Sequence, residues 1–285
     1  MKGKTIMFLT LILLILQCCV AYAIDTDEGE IILGIDDMPY ITEIYSYKER
    51  ESCTKLKLIG PKRGSSTFCI KDLMCMPNIE ELYVAEGAYL DDYSKLRAFQ
   101  KLRSLSLSNQ NISDISFVSY LKWLEEVDFS HNSIQNIEPL KKLEHLQILD
   151  LSAISDISTL KNAISLIELY LDFNKDVSDL CDISFLNNLE VLSITGTSIN
   201  DLSPISSLTN MDILCFNGCN VENITCISGL TKLTYLDMRY NSISSIDPLS
   251  EMHELKFLRL AGNPITDYSV LDLLHISLDS AMYDP

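Results

Sequence analysis

Leu233-Thr-Tyr-Leu236-Asp-Met238-Arg-Tyr-Asn241-Ser-Ile243-Ser-Ser-Ile246-Asp-Pro248-Leu249-Ser-Glu-Met252 is the stretch that decides the fold. The same template returns at Leu255, with Leu258, Leu260, Asn263 and Ile265 in the same places. Reading backwards, copies start at Met211, Leu189, Leu166, Leu146, Leu124, Leu102 and Ile79. From Ile79 onward the starts are 23, 22, 22, 20, 23, 22, 22 and 22 residues apart. A fixed period of this length means that each copy is one structural unit, stable only when stacked on its neighbours. Such an array has one long face rather than a single cleft, and function is sought on that face.

Within a copy, the L-x-x-L-x-L segment predicts a short strand whose leucines point inward and whose intervening residues point outward. The second half supplies three more inward residues: Ile115, Val118 and Leu121; Ile137, Leu140 and Leu143; Leu202, Ile205 and Leu208; Ile224, Ile227 and Leu230. Asn132, Asn174, Asn241 and Asn263 follow the strand, where an inward amide can satisfy backbone groups left inside a sharp turn. Gln110, Thr197, Cys219 and Gly87 stand there in other copies. Asp114, Asn136, Asp156, Asp179, Asp201, Asn223 and Asp267 read as caps. Pro139, Pro204 and Pro248 favour brief 3₁₀ or helical turns over long helices. This is the leucine-rich-repeat pattern. The expected fold is an α/β solenoid, a leucine-rich-repeat horseshoe with a parallel concave β-sheet and short 3₁₀, helical or irregular convex segments.

The repeat argues for one continuous array at 53–274 of about ten rungs, the first degenerate at Cys53-x-x-Leu56-x-Leu58 with an excursion through Pro61, Gly64 and Ser66. Residues 24–52 match no repeat and are expected to cap the first rung. A short tail, 275–285, follows. At the N-terminus, Lys2 and Lys4 precede an apolar run from Ile6 to Val20, and Ala21-Tyr22-Ala23 supplies a small-x-small site. That pattern predicts a secretory signal peptide, 1–23, cleaved after Ala23. An uncleaved anchor is disfavoured by the shortness of the run. Lipid attachment at Cys18 or Cys19 lacks the usual small preceding residue. The mature chain is expected to be exported, a monomer, and membrane-bound only if lipidated. Asn111-Ile-Ser113 and Asn223-Ile-Thr225 would be glycosylation acceptors in a eukaryotic source. Cys53, Cys69 and Cys75 cluster at the start of the array, where a disulfide from Cys53 to Cys69 or Cys75 could staple the cap.

The formal net charge is −18 and the isoelectric point about 4.5. A duplex binder needs a basic stripe, so nucleic acid is excluded as a partner. No catalytic signature is present, and His131, His145, His253 and His275 are scattered, so no enzyme and no cofactor is expected. Asp172-x-Asn174-x-Asp176-x-x-Asp179 resembles the start of a calcium loop. Val177 stands where glycine is needed, and the template sends these side chains in different directions. Cys215, Cys219 and Cys226 likewise diverge, so no metal is expected.

The period, the Asn turn and the passages Ile246-Asp247-Pro248-Leu249 and Asp201-Leu202-Ser203-Pro204-Ile205 resemble the internalin-like class of leucine-rich-repeat proteins, over residues 79–274. The copy at Leu146 departs from it, being short and without the Asn turn. The resemblance implies an exported protein that binds a protein partner through the concave sheet, at a cell or host surface.

The template assigns the outward residues of that sheet. Glu126, Asp128, Asp150, Glu168 and Asp172 predict an acidic patch containing Tyr170 and Phe173. Tyr235, Asp237, Arg239 and Tyr240 share one rung, Phe257 and Arg259 the next, and Val191 and Ile213 extend the column upstream. Aromatic residues and arginine on an outer face are the informative exceptions and are enriched at binding hot spots. A protein-binding module is the leading expectation. A structural surface or matrix component, or an enzyme inhibitor without catalysis, is the alternative.

Overall fold

The computed structural model describes residues 29–61 and 63–274. The expectations for the signal peptide, for Cys18 and Cys19 and for the tail from residue 275 lie outside them. The chain forms two compact units divided after Asp92, inside the copy that starts at Ile79.

In the first unit, strand β1 (Glu30–Gly34) pairs in parallel with β2 (Lys55–Ile59), and β2 pairs with β4 (Glu81–Val84). Alternation buries Ile31 and Leu33, then Leu56 and Leu58, then Leu82 and Val84. A strand therefore lies where the sequence suggested only a cap. It was missed because it carries the alternation of a strand without the rest of a repeat. After β1 come a 3₁₀ turn, Ile35–Tyr40, and short helices at Ile41–Ile44 and Tyr47–Ser52. The second helix opens on a capping box. The Glu49 N–H donates to Ser46 Oγ at 3.3 Å, and the Ser46 N–H donates to Glu49 Oε2 at 2.6 Å. The excursion after Ile59 becomes β3 (Ser66–Phe68), paired with β5 (Ala88–Leu90) in a separate two-stranded sheet. Cys53, Cys69 and Cys75 are free thiols, so the expected staple is not formed. Burial pushes the Cys53 thiol up to about 11, which leaves it protonated at neutral pH.

The second unit, from Tyr93 on, carries the regular repeats. Strands β6 (Ser104–Ser106), β7 (Glu126–Phe129), β8 (Ile148–Leu151), β9 (Glu168–Tyr170), β10 (Val191–Ser193), β11 (Ile213–Cys215), β12 (Tyr235–Asp237) and β13 (Phe257–Arg259) lie in chain order, all parallel. Each from β6 to β12 is followed by a short 3₁₀ turn, such as Ser203–Ile205 and Asp247–Leu249, and β13 by the short helix Leu271–Leu274. In the rung from Leu189, seven residues are fully buried: Leu189, Leu192, Ile194, Ile199, Leu202, Ile205 and Leu208. Each such aliphatic side chain contributes about 1.5–3 kcal/mol on burial.

The buried asparagines do what an inward amide can do, and they do it across rungs. Asn241 Oδ1 accepts the N–H of Cys219 at 3.2 Å and of Val221 at 2.9 Å. Its Nδ2 donates to the carbonyls of Phe216 and Met238, both at 2.9 Å. Asn132 makes the equivalent bonds to Gln110, Ile112, Leu107 and Phe129. The short rung at Leu146 is short at this turn. Leu151-Ser-Ala-Ile154 replaces the longer Phe129-Ser-His-Asn132-Ser-Ile134. Asn174 Oδ1 correspondingly takes one N–H from that rung, that of Ile154 at 2.8 Å.

The acidic and amide caps are Asx turns rather than N-caps. Each side chain accepts the N–H two residues on: Ser116 to Asp114, Glu138 to Asn136, Ser158 to Asp156, Cys181 to Asp179, Ser203 to Asp201, Thr225 to Asn223 and Ser269 to Asp267.

Candidate functional site

Parallel pairing in register turns the outward strand positions of the second unit into two columns. The first runs Ser104, Glu126, Ile148, Glu168, Val191, Ile213, Tyr235, Phe257. The second runs Ser106, Asp128, Asp150, Tyr170, Ser193, Cys215, Asp237, Arg259. The columns are acidic at the β7–β9 end; from β10 to β13 the first is apolar to aromatic and the second polar to charged.

At the acidic end, Ser104, Ser106, Glu126, Asp128, Asp150 and Tyr170 line a shallow hollow of about 360 Å³. Asp128 is held by the Ser106 hydroxyl at 2.8 Å and by the Ser130 N–H and hydroxyl at 3.0 and 2.6 Å. Asp172, two positions beyond the end of β9, accepts from the Ser193 hydroxyl at 2.6 Å and the Thr195 N–H at 2.8 Å. Asp150 lies between these two carboxylates. Burial, with their negative charge added, pushes it up to about 7. The Tyr170 hydroxyl donates to Glu168 Oε2 at 2.7 Å, and burial together with that acceptor raises the phenol.

At the other end, Asp237 is 4% exposed. It receives Arg239 in a fork, Nε to Oδ1 at 2.9 Å and Nη2 to Oδ2 at 2.8 Å. Arg259 Nη1 stands 3.7 Å from the same carboxylate. The Arg259 guanidinium also lies 5.7 Å from the centre of the Tyr235 ring, and Tyr235 and Phe257 have centroids 6.0 Å apart. Tyr235, Asp237, Arg239, Phe257 and Arg259 therefore form one assembled cluster, with two guanidinium groups to one carboxylate.

Phe173 and Tyr240, expected among these residues, leave the sheet face. They occupy the turn that ends each strand segment and have φ of 60° and 54°. They are exposed along its edge.

The family model for Leucine Rich repeats (2 copies) matches residues 100–142, 122–162 and 231–273. These stretches are leucine-rich repeats. Its fold resembles an internalin (inlF) from Listeria monocytogenes with a TM-score of 0.70 at 22% identity, over 91% of this chain and 77% of that one. An internalin C2 (inlC2) from the same species gives 0.59 at 29% identity, over 64% and 83%. The functional domain of InlJ from Listeria monocytogenes, which includes a cysteine ladder, gives 0.57 at 17% identity, over 89% and 60%. Among curated proteins, none matches the sequence significantly. The fold of this chain is internalin-like.

The repeat geometry also separates the residues that resembled metal ligands. Asp172 faces outward at the sheet, Asn174 is buried between rungs, and Asp179 holds a turn on the opposite side. Among the described residues, no group of three or more His, Cys, Asp or Glu side chains is placed to hold a metal ion. Cys219 is buried in the Asn position and donates to the Ile194 carbonyl at 3.1 Å, whereas Cys215 lies on the sheet face.

One surface feature was not singled out from the sequence. Trp123 and His145 stack at 5.1 Å with their planes 10° apart. They sit just before Leu124 and Leu146, the same position in successive rungs, so the template could have found them.

Proposed function

We propose that this leucine-rich-repeat protein is an exported, non-catalytic binding module that holds a protein partner on the sheet face of its second unit. The cluster of Tyr235, Phe257 and Arg259 around the buried Asp237 carries this reading. Its aromatic rings and guanidinium groups are ordered before any partner arrives, so little side-chain entropy is lost on binding. Tyr and Arg are also the side chains that most often dominate interface energies. Val191 and Ile213 continue the apolar column toward β10, and the acidic hollow supplies charge selectivity at the far end. The signal-like residues 1–23 support export, to a secreted or cell-surface location.

The test is affinity capture from the protein's native surroundings, comparing wild type with a Tyr235→Ala plus Phe257→Ala variant. Both side chains point away from the core, so the variant keeps its fold, which circular dichroism checks. Loss of the captured partner supports the reading. Retention of every partner at wild-type affinity removes the cluster from it.

A further inference from the structure

The turn that ends each strand segment is left-handed in rung after rung. Its residue is Asn109, His131, Ala153, Phe173, Gly196, Gly218, Tyr240 and Gly262, with φ between 54° and 74°. Asparagine and glycine suit this conformation, whereas a bulky aromatic residue adopts it only against steric resistance. Glycine fills the same turn in the rungs that start at Leu189, Met211 and Leu255, so the fold does not demand an aromatic ring here. Phe173 and Tyr240 nevertheless remain 63% and 65% exposed. The strained conformation therefore places two rings in solvent, where burial returns little.

The next rung makes room for each ring. A Cβ on Gly196 would stand 2.9 Å from Phe173 Cδ1, and one on Gly262 would stand 2.5 Å from Tyr240 Cδ1. Between the two lies Gly218, where a Cβ would meet no atom within 4 Å. Phe173 leans over Gly196, and Tyr240 leans away from Gly218 over Gly262. A notch floored by Gly218 is thus left between two exposed aromatic residues. Their rungs are three strand spacings apart, about 14 Å.

We propose that this edge is a second contact strip, which takes an extended apolar segment of a protein partner laid along the rungs, with a side chain seated over Gly218 between Phe173 and Tyr240. The chemistry follows from what the strip still offers. The backbone N–H groups of Phe173, Gly196, Gly218 and Tyr240 already donate to the carbonyls of Thr195, Asn217, Arg239 and Ala261. They are therefore closed to an anion or an added strand. Asp172 is engaged by Ser193 and Thr195, Arg239 by Asp237, and Asn217 by Thr195. Lys175, exposed beside Phe173, is a charge at one end only. The middle of the strip recognises apolar surface, and about four extended residues span it at roughly 3.3 Å each. The proposal rests on the reading of the second unit as a protein-binding module.

The test uses Phe173→Asn plus Tyr240→Asn, because asparagine accepts the left-handed turn and removes the rings. The probes are three peptides of equal length with central Leu-Pro-Leu-Leu, Glu-Ser-Glu-Ser or Lys-Ser-Lys-Ser. They are titrated against ¹⁵N-labelled full chain while the amide signals of Gly196, Gly218 and Gly262 are followed. The Leu-Pro-Leu-Leu peptide is expected to shift these signals, at least tenfold more weakly in the double variant. The thermal midpoint of the variant is expected to be unchanged or raised. A drop of several degrees would make the rings structural and overturn the proposal. So would equal shifts in both proteins, no shift with the apolar peptide, or a stronger response to a charged one. If Tyr235→Ala plus Phe257→Ala abolishes partner capture and the rim variant does not, the sheet face stands and the rim strip falls.

Discussion

Asn241→Ala tests the inter-rung amide ladder most directly. The side chain joins five backbone groups of two rungs: the N–H groups of Cys219 and Val221 and the carbonyls of Phe216, Met238 and Arg239. At a site only 7% exposed, alanine leaves the Cys219 and Val221 N–H groups and the Phe216 carbonyl without that partner, while the Met238 carbonyl keeps Asn263 Nδ2 at 2.8 Å and the Arg239 carbonyl keeps the Gly218 N–H at 2.9 Å. An unsatisfied buried backbone group costs about 1–3 kcal/mol. Water entering the vacated space relieves part of this, and the expected loss is about 4 kcal/mol. For a unit of this size, 1 kcal/mol moves the thermal midpoint by about 2–4 °C, so a fall of roughly 8–16 °C is expected. Asn241→Cys should fall in between, because Cys219 in the preceding rung holds the same position, its thiol reaching the Ile194 carbonyl at 3.1 Å and the Asn217 carbonyl at 3.6 Å. Differential scanning calorimetry and urea unfolding measure both variants. A loss below about 1 kcal/mol for alanine, or cysteine behaving worse than alanine, would refute the ladder as a stabilising device.

Asp150→Asn is expected to stabilise the protein above neutral pH. The folded carboxyl titrates near 7, above its unfolded value, so the native state holds the extra proton and stability falls as pH rises from about 4 to 7. A dry site would lose roughly 4 kcal/mol over that range. Water at the half-open hollow reduces this to about 2 kcal/mol. The variant should therefore match wild type at pH 4 and exceed it at pH 8 in urea unfolding, and equal stability at both pH values would count against the carboxylate cluster. Asp237→Ala removes the carboxylate that holds Arg239 and stands near Arg259, and should cost about 2–3 kcal/mol, less than a fully buried pair because the guanidinium groups can rehydrate. Thermal unfolding checks the cost, and no change would mean that the cluster is not held by Asp237. Hydrogen bonds at the Asx turns hold the Asp156, Asp179 and Asp267 carboxyls below the usual carboxylate range. Their contribution is present above the unfolded value and is lost as pH falls through the folded one. Changing all three to asparagine, which already makes the turn at Asn136 and Asn223, should lessen acid sensitivity below pH 4 while leaving pH 7 stability nearly unchanged.

What was legible in the sequence followed from position within the period. Leu189 to Leu208, Asn241 and Asp201 each have one place in a rung, and each repeats the role of its counterparts above and below. Burial, amide and turn could therefore be assigned before any coordinates. β1 escaped because Glu30-Ile-Ile-Leu-Gly34 has no copy in register, and the pairing of Ser66–Phe68 with Ala88–Leu90 joins segments outside the template. The orientation of Phe173 and Tyr240 escaped for a different reason. The template fixed their position but treated the turn as a continuation of the alternating strand. Alternation ends where φ becomes positive, so the rings swing off the face and onto its edge. The glycines at 196, 218 and 262 carried the missing signal, since glycine recurring at one position beside aromatic residues marks a left-handed turn. A period says which residues are equivalent; the backbone conformation at the equivalent position says where they point. For a protein whose surface chemistry sits on repeated turns as well as on strands, both are needed to locate the contact surface.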